Sequence, residues 1–216
     1  MGNARNWITR HRKDPFVKEA KEAGYRSRAA YKLLEIQRRD GLFRRGDTVV
    51  DLGAAPGGWS QVARELAGGA GRVIAVDILP MEPLAGVVFL EGDILDPALE
   101  GRITDLLAGK PARVVISDMA PNISGLNALD QPRVLRMAES ALESGRRILA
   151  PEGSFLVKVF QGEGFDAFVK EVRGAFTKTV IRKPKASRAS SREVYVLGRG
   201  LLPAPGGCEK IPRPPR

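Results

Sequence analysis

Along this chain short apolar runs alternate with stretches in which apolar residues recur every three or four positions, the pattern of strands separated by helices. Val49–Val50 leading to Asp51, RVIAVD ending at Asp77, Val87 to Leu90, Val114 to Ile116 and SFLVKVF up to Phe160 read as strands. Two more are expected over Thr177 to Arg182 and Glu193 to Leu197. Helical spacing appears from Ser27, a candidate N-cap, to a stop at Gly41, and again from Trp59. Further helices are expected from Asp96 and Pro97 to about Leu107, over Arg133 to Leu149, and over Phe165 to Phe176. Such alternation predicts an α/β domain built on a parallel sheet with helices on both faces. The stretch after Asp118 through Gln131 has no regular period and reads as a loop, a candidate lid. The reading divides the chain into a basic segment 1–24, a domain 25–198 and a flexible, proline-rich tail 199–216.

The run VVDLGAAPGGWSQVA contains the strand-to-helix turn around which the rest is arranged. Its spacing is Gly53-x-Ala55-x-x-Gly58 rather than the three glycines of a dinucleotide site. The Ala55 methyl and the Pro56 ring take up room where two phosphates would sit, and Pro56 removes an N–H from the loop. A ligand without phosphate therefore fits better. Asp51 ends the first strand, and Asp77 lies 24 residues beyond Gly53, where an acid can hold ribose hydroxyls. The reading places both carboxylates at the rim and takes the pair as suited to S-adenosylmethionine, a cationic nucleoside. Asp93, after the third strand, is an acceptor for an adenine amino group or simply a turn residue. Asp118, after the fourth, is directed to the same rim by the rule that strand carboxyl ends face the ligand crevice.

Charge changes the picture of partners. Lys and Arg outnumber acids 13 to 5 over residues 1–45 and 5 to 1 over 182–198, whereas acids lead 18 to 13 over 46–181. Basic flanks around an acidic centre suit a polyanion, and nucleic acid is the favoured one. Trp7 and Phe16 lie among the N-terminal cations, where they can stack on bases. Arg182, Lys183, Lys185, Arg188 and Arg192 occupy one acid-free loop, a candidate phosphate reader. The single cysteine, Cys208, excludes an internal disulfide and favours a reducing, cytoplasmic setting. No apolar run has the length of a membrane span, and no Cys/His cluster has metal spacing.

Lys158 is the anomaly of the pattern, a lysine inside an apolar strand expected to be covered on both faces. Either it snorkels to solvent or something holds its ammonium. Glu193 opens a strand otherwise made of valine, tyrosine and leucine and is a candidate partner. Lys32 alone would pass for a solvated helix lysine.

SRAAYKLLEI, DLGAAPGGWSQ, SDMAPN, FLVKVFQGEGF and SREVYV, in this order and spacing, closely resemble the FtsJ/RrmJ family of ribose 2'-O-methyltransferases over residues 6–198. The resemblance implies a Rossmann-like, S-adenosylmethionine-dependent methyltransferase fold with a seven-stranded, mostly parallel sheet whose last strand is antiparallel. It implies a catalytic tetrad on Lys32, Asp118, Lys158 and Glu193, and cofactor contacts on Gly57, Trp59, Asp77, Asp93 and Asp118, to which the loop reading adds Gly53 and Pro56. It further implies 2'-O-methylation of a uridine ribose in large-subunit ribosomal RNA, within the assembled subunit at a late stage of its biogenesis. A monomer without a metal is expected. Lys158 is the expected base for the hydroxyl proton; a charged Lys158 that orients the hydroxyl is the other possibility. Methylation of transfer RNA and a non-catalytic role in ribosome assembly are the rival readings, and a nicotinamide oxidoreductase is disfavoured by Pro56.

Overall fold

A computed structural model describes residues 14–120, 127–188 and 191–203. Trp7, the central part of the expected lid and Cys208 lie outside these residues. Among the described residues two helices come first, α1 (Pro15–Glu22) and α2 (Ala29–Asp40), followed by β1 (Thr48–Leu52), α3 (Gly58–Ala67), β2 (Arg72–Asp77) and β3 (Val87–Glu91). The chain continues through α4 (Pro97–Leu107), β4 (Ala112–Ser117), α5 (Asn127–Ile148), β5 (Leu149–Phe160), α6 (Phe165–Ala175), β6 (Phe176–Arg182) and β7 (Glu193–Leu201). The seven strands form one sheet in the order β3-β2-β1-β4-β5-β7-β6, in which β7 alone points opposite to the other six.

Side chains alternate across this sheet, so each strand feeds two cores. Val50, Leu52, Val115, Phe155 and Val157 pack beneath α4, α5 and α6. Val49, Val114, Ile116, Leu156, Tyr195 and Leu197 face the other way, beneath α2 and α3. Burying each such valine or leucine side chain contributes roughly 2 kcal/mol. The same parity carries Asp51, Asp118, Lys158 and Glu193 towards the side of α2 and α3, because each lies two residues from a member of that second core. Polar groups from four strands thereby converge under one pair of helices.

Local signals explain most boundaries. Asp96 caps α4 by accepting from the Ala98 N–H at 2.9 Å, and Gly41 ends α2 at φ 59°. Ser27, in contrast, does not cap α2: Arg28 occupies the cap position in helical geometry, with no side-chain capping bond. Ser27 packs instead on Gly58, where an added Cβ would come within 2.2 Å of its hydroxyl. The last glycine of the turn pattern thus lets α3 approach the start of α2.

Several elements differ from their expected bounds. α5 starts at Asn127 with Pro132 inside it, so only part of the expected loop is irregular. Its first turns escape the periodicity because they bury polar groups: Gln131 donates to the main-chain oxygens of Phe160 and Glu163 at 2.9 and 3.1 Å. α1 arises within the basic segment, capped by Asp14, and Phe16 packs on Tyr31 with ring centres 5.8 Å apart. β7 continues to Leu201, pairing Arg199 with both Ser154 and Lys178.

Candidate active site

Lys32, Asp118, Lys158 and Glu193, drawn from α2, the end of β4, β5 and the start of β7, meet in one cluster. Lys158 Nζ donates to the main-chain oxygen of Asp118 at 2.6 Å and lies 3.1 Å from its Oδ1. Lys32 Nζ pairs with Glu193 Oε1 at 2.7 Å and reaches Asp118 Oδ2 at 4.0 Å. Both lysines are buried, at 7% and 6% exposure, so the snorkelling alternative for Lys158 does not hold. Two cations matched by two carboxylates keep the cluster near neutrality, which a site so removed from water requires.

A fifth member, Tyr195, did not stand out in the sequence. Its hydroxyl lies 2.8 Å from Asp118 Oδ1 and 3.2 Å from Glu193 Oε1, and its one proton is shared between them. The ring lies under Lys32 Nζ, 5.6 Å from the ring centre, and against Trp59 at the same centre-to-centre separation. Tyr195 is fully buried in a valine- and leucine-rich strand, so its only sequence signal is that a buried phenol must find a partner. Ser187 adds a donor, with Oγ 2.9 Å from Glu193 Oε1.

These contacts set the protonation of the cluster. Burial by itself would raise Asp118, but Lys158 and Lys32, with hydrogen bonds from Tyr195 and Lys158, outweigh it and hold the carboxyl below its ordinary value. Tyr195 moves the other way: burial first, then the charges of Asp118 and Glu193, push it well above the ordinary phenol range. It therefore stays a neutral donor.

Beside the cluster lies a cleft of about 440 Å³, lined by Gly53, Ala55, Asp77, Asp93, Asp118 and Met119 among others. Asp77 clamps the glycine-rich turn, its Oδ2 accepting from the Ala55 N–H and its Oδ1 from the Leu79 N–H, both at 2.8 Å. Asp93 takes its turn role as well, accepting from the Leu95 N–H at 2.9 Å, while remaining exposed on the cleft wall. Gly53 has φ 77°, and a Cβ there would stand 2.1 Å from Met119 Cγ, so the position admits only glycine without displacing that wall. Ile78 and Leu79, both on the cleft wall, are 62% and 61% exposed.

The remaining predicted residues do not line the cleft. Pro56 is exposed and offers its carbonyl to Arg26 at 3.2 Å. Gly57, at φ 106°, precedes α3, whose start has no side-chain cap. Trp59 is buried and donates its ring N–H to Ala29 O at 2.8 Å, fastening α3 to α2. Asp51 is not at the rim: it is 1% exposed, inside the second core, because strand parity turns it under α3. Ser60 donates to its Oδ2 at 2.6 Å, and its Oδ1 has no hydrogen-bond partner.

Among the described residues no group of three or more His, Cys, Asp or Glu side chains is placed to hold a metal ion, and no helix is long and apolar enough to cross a membrane. Residues 25–201 match the family of FtsJ-like methyltransferases. The chain is 56% identical over 199 residues to ribosomal RNA large subunit methyltransferase E of Marinobacter nauticus, covering 92% of this chain and 96% of that one. It is 51% identical over 209 residues to the protein of the same name from Cellvibrio japonicus, covering 97% of each. A crystal structure described as that of a ribosomal RNA methyltransferase from Plasmodium falciparum superposes with a TM-score of 0.76 at 25% identity, over 82% of this chain and 99% of that one.

Proposed function

The chain belongs to the FtsJ-like methyltransferase family, and from that premise we propose that it methylates the 2'-hydroxyl of a uridine in large-subunit ribosomal RNA, using S-adenosylmethionine. The observation that carries the reading is the buried meeting of Lys158, Asp118, Lys32 and Glu193 beside a cleft suited to a methyl donor. In this reading the substrate is the assembled subunit in the cytoplasm, late in its maturation, and the enzyme acts on it as a monomer.

The cleft residues fit the donor. Its volume lies in the range of small-molecule sites. Asp77 offers carboxylate lone pairs to ribose hydroxyls, exposed Ile78 offers an apolar face to a base, and Asp93 accepts from an exocyclic amine. Gly53 leaves open the room that a side chain would fill. Pro56, Gly57 and Trp59 support the site from outside the cleft, holding the turn and the start of α3 in place. When bound, S-adenosylmethionine supplies an electrophilic methyl on a sulfonium, next to the acidic wall of Asp118.

The residues of the chain do the rest. Displacement at a methyl carbon needs the attacking oxygen in line, so positioning accounts for much of the rate. Lys158 fixes that position, because its Nζ is itself fixed by two acceptors of Asp118. Lys158 orients the hydroxyl with the donor those acceptors leave free, and it is the group placed to take the hydroxyl proton once its own ammonium proton has left. Lys32, held by Glu193, supplies positive charge beside the oxygen as it loses that proton.

The test is transfer of labelled methyl by the purified protein to large subunits lacking the modification, with transfer RNA as a parallel substrate. Label on a uridine ribose of the large-subunit RNA is expected. Label on transfer RNA alone, or wild-type turnover by Lys158→Ala, would overturn the reading.

A further inference from the structure

Outside the cluster just described, two arginines converge on one carboxylate. Asp14 Oδ2 pairs with Arg28 Nη1 and lies 3.8 Å from Arg188 Nε, while its Oδ1 caps α1 through the Phe16 N–H at 3.1 Å. Arg28 also donates to Ala186 O at 2.7 Å. The next residue, Ser187, is buried and bonds Glu193, so the backbone that carries Arg188 is anchored to the cluster itself. Arg28 stands one helical turn before Lys32 on the same face of α2. Two guanidiniums against one directly paired carboxylate leave a surplus positive charge there; burial and then Arg188 lower the affinity of Arg28 for its proton, with Glu193 and Asp118 opposing them. The paired lysines and acids of the cluster leave no comparable surplus.

We propose that Arg28 and Arg188 seat a phosphate of the RNA backbone, the one on the 3' side of the target ribose, and that the Asp14 carboxylate occupies this seat until RNA arrives. The inference rests on the reading of the chain as a ribose methyltransferase. Its chemistry follows from connectivity: the ring carbon next to the one that bears the 2'-hydroxyl carries the 3'-oxygen, which in RNA is esterified to a phosphate. A ribose presented to Lys158 therefore brings an anion close to Asp118 and Glu193, which would repel it unless cations met it there. Guanidinium pairs are the groups suited to bind phosphate in a fixed geometry. Arg188 is the movable half of the seat, 41% exposed on its side chain and loosely held by Asp14, whereas Arg28 is 16% exposed and firmly tied.

The experiment is steady-state methylation of large subunits by the full-length protein carrying Arg188→Ala, Asp14→Asn or, as a control, Arg113→Ala, an exposed contact to Pro151 O. Thermal melting verifies folding, and calorimetry measures binding of S-adenosylmethionine. Arg188→Ala is expected to raise KM for the subunit about tenfold, one charge-assisted contact, with kcat within about threefold and cofactor affinity unchanged. The salt dependence of log KM should lose about one unit of slope. Asp14→Asn keeps the cap, since asparagine caps as well as aspartate, and is expected to lower KM severalfold by removing the competitor. An unchanged KM and salt slope in Arg188→Ala, or an unchanged or raised KM in Asp14→Asn, would overturn the proposal. Failure of the wild-type protein to methylate subunits would instead overturn the assigned activity.

Discussion

Lys158 Nζ touches Asp118 twice, at the main-chain oxygen and at the carboxylate, 2.6 and 3.1 Å away. The backbone contact fixes where the amine sits, and the carboxylate contact fixes its electrostatics. The two roles can be separated by mutation.

Lys158→Met keeps the apolar stem and removes only the nitrogen. Turnover is expected to fall by roughly three orders of magnitude, the middle of the range for loss of a general base. The fold should persist, because Asp118 retains Lys32 and Tyr195 as partners. Asp118→Ala is expected to be as inactive and also less stable by about 3 kcal/mol, since it leaves Lys158 buried without its carboxylate. Single-turnover methyl transfer and urea denaturation measure the two effects.

Tyr195→Phe tests the fifth member of the cluster. The ring stays on Trp59 and under Lys32, and one hydrogen bond is lost, at a cost of about 1–2 kcal/mol in stability. Asp118 loses one of the donors that hold it low, so its folded-state affinity for a proton rises. The acid limb of the activity profile should therefore move to higher pH in the variant. A profile superimposable on the wild type would show that the hydroxyl does not act through Asp118.

Asp51 gives a stability signature in the opposite direction to an ordinary paired acid. Burial, with smaller contributions from Asp118 and Asp77 and partial relief from Ser60, pushes it up to about 7. The folded protein thus holds a proton that the unfolded chain releases near 3.8. Stability conferred by that proton is present at low pH and is lost as pH rises from about 4 to about 7, by up to roughly 4 kcal/mol. Asp51→Asn should flatten this dependence, so that its stability relative to wild type climbs across the same window and levels off above it. Urea denaturation at several pH values between 4 and 8 reads the difference.

Gly53→Ala is expected to weaken cofactor binding at least tenfold, because φ 77° strains the new residue and its methyl drives Met119 into the cleft. The same strain should cost about 1–3 kcal/mol in stability. Calorimetric titration with S-adenosylmethionine and thermal melting separate the two. Undiminished binding would mean that Met119 moves aside freely.

Expectation and structure part at particular residues. Ser27 looked like a cap because serine before a helix commonly is one, yet the close approach of α3 at Gly58 claims it. Gln131 broke the apolar period because its partners are the backbone of a loop some thirty residues on. Its place at a strand end predicts Asp51 at the rim, and strand parity buries it. In each case a contact distant in sequence outweighed a local preference.

Alternating apolar runs and turn residues determined the order of strands and helices, because periodicity and capping are properties of neighbouring positions. The apolar neighbours of Lys158 likewise dictated that its nitrogen would need a partner. Which groups meet it was decided only by the folded sheet, whose strand order and shared parity bring Asp118, Glu193, Tyr195 and Lys32 under one pair of helices. The charge balance, the neutral phenol and the raised Asp51 follow from that meeting, since each depends on distance through space and on exclusion of water.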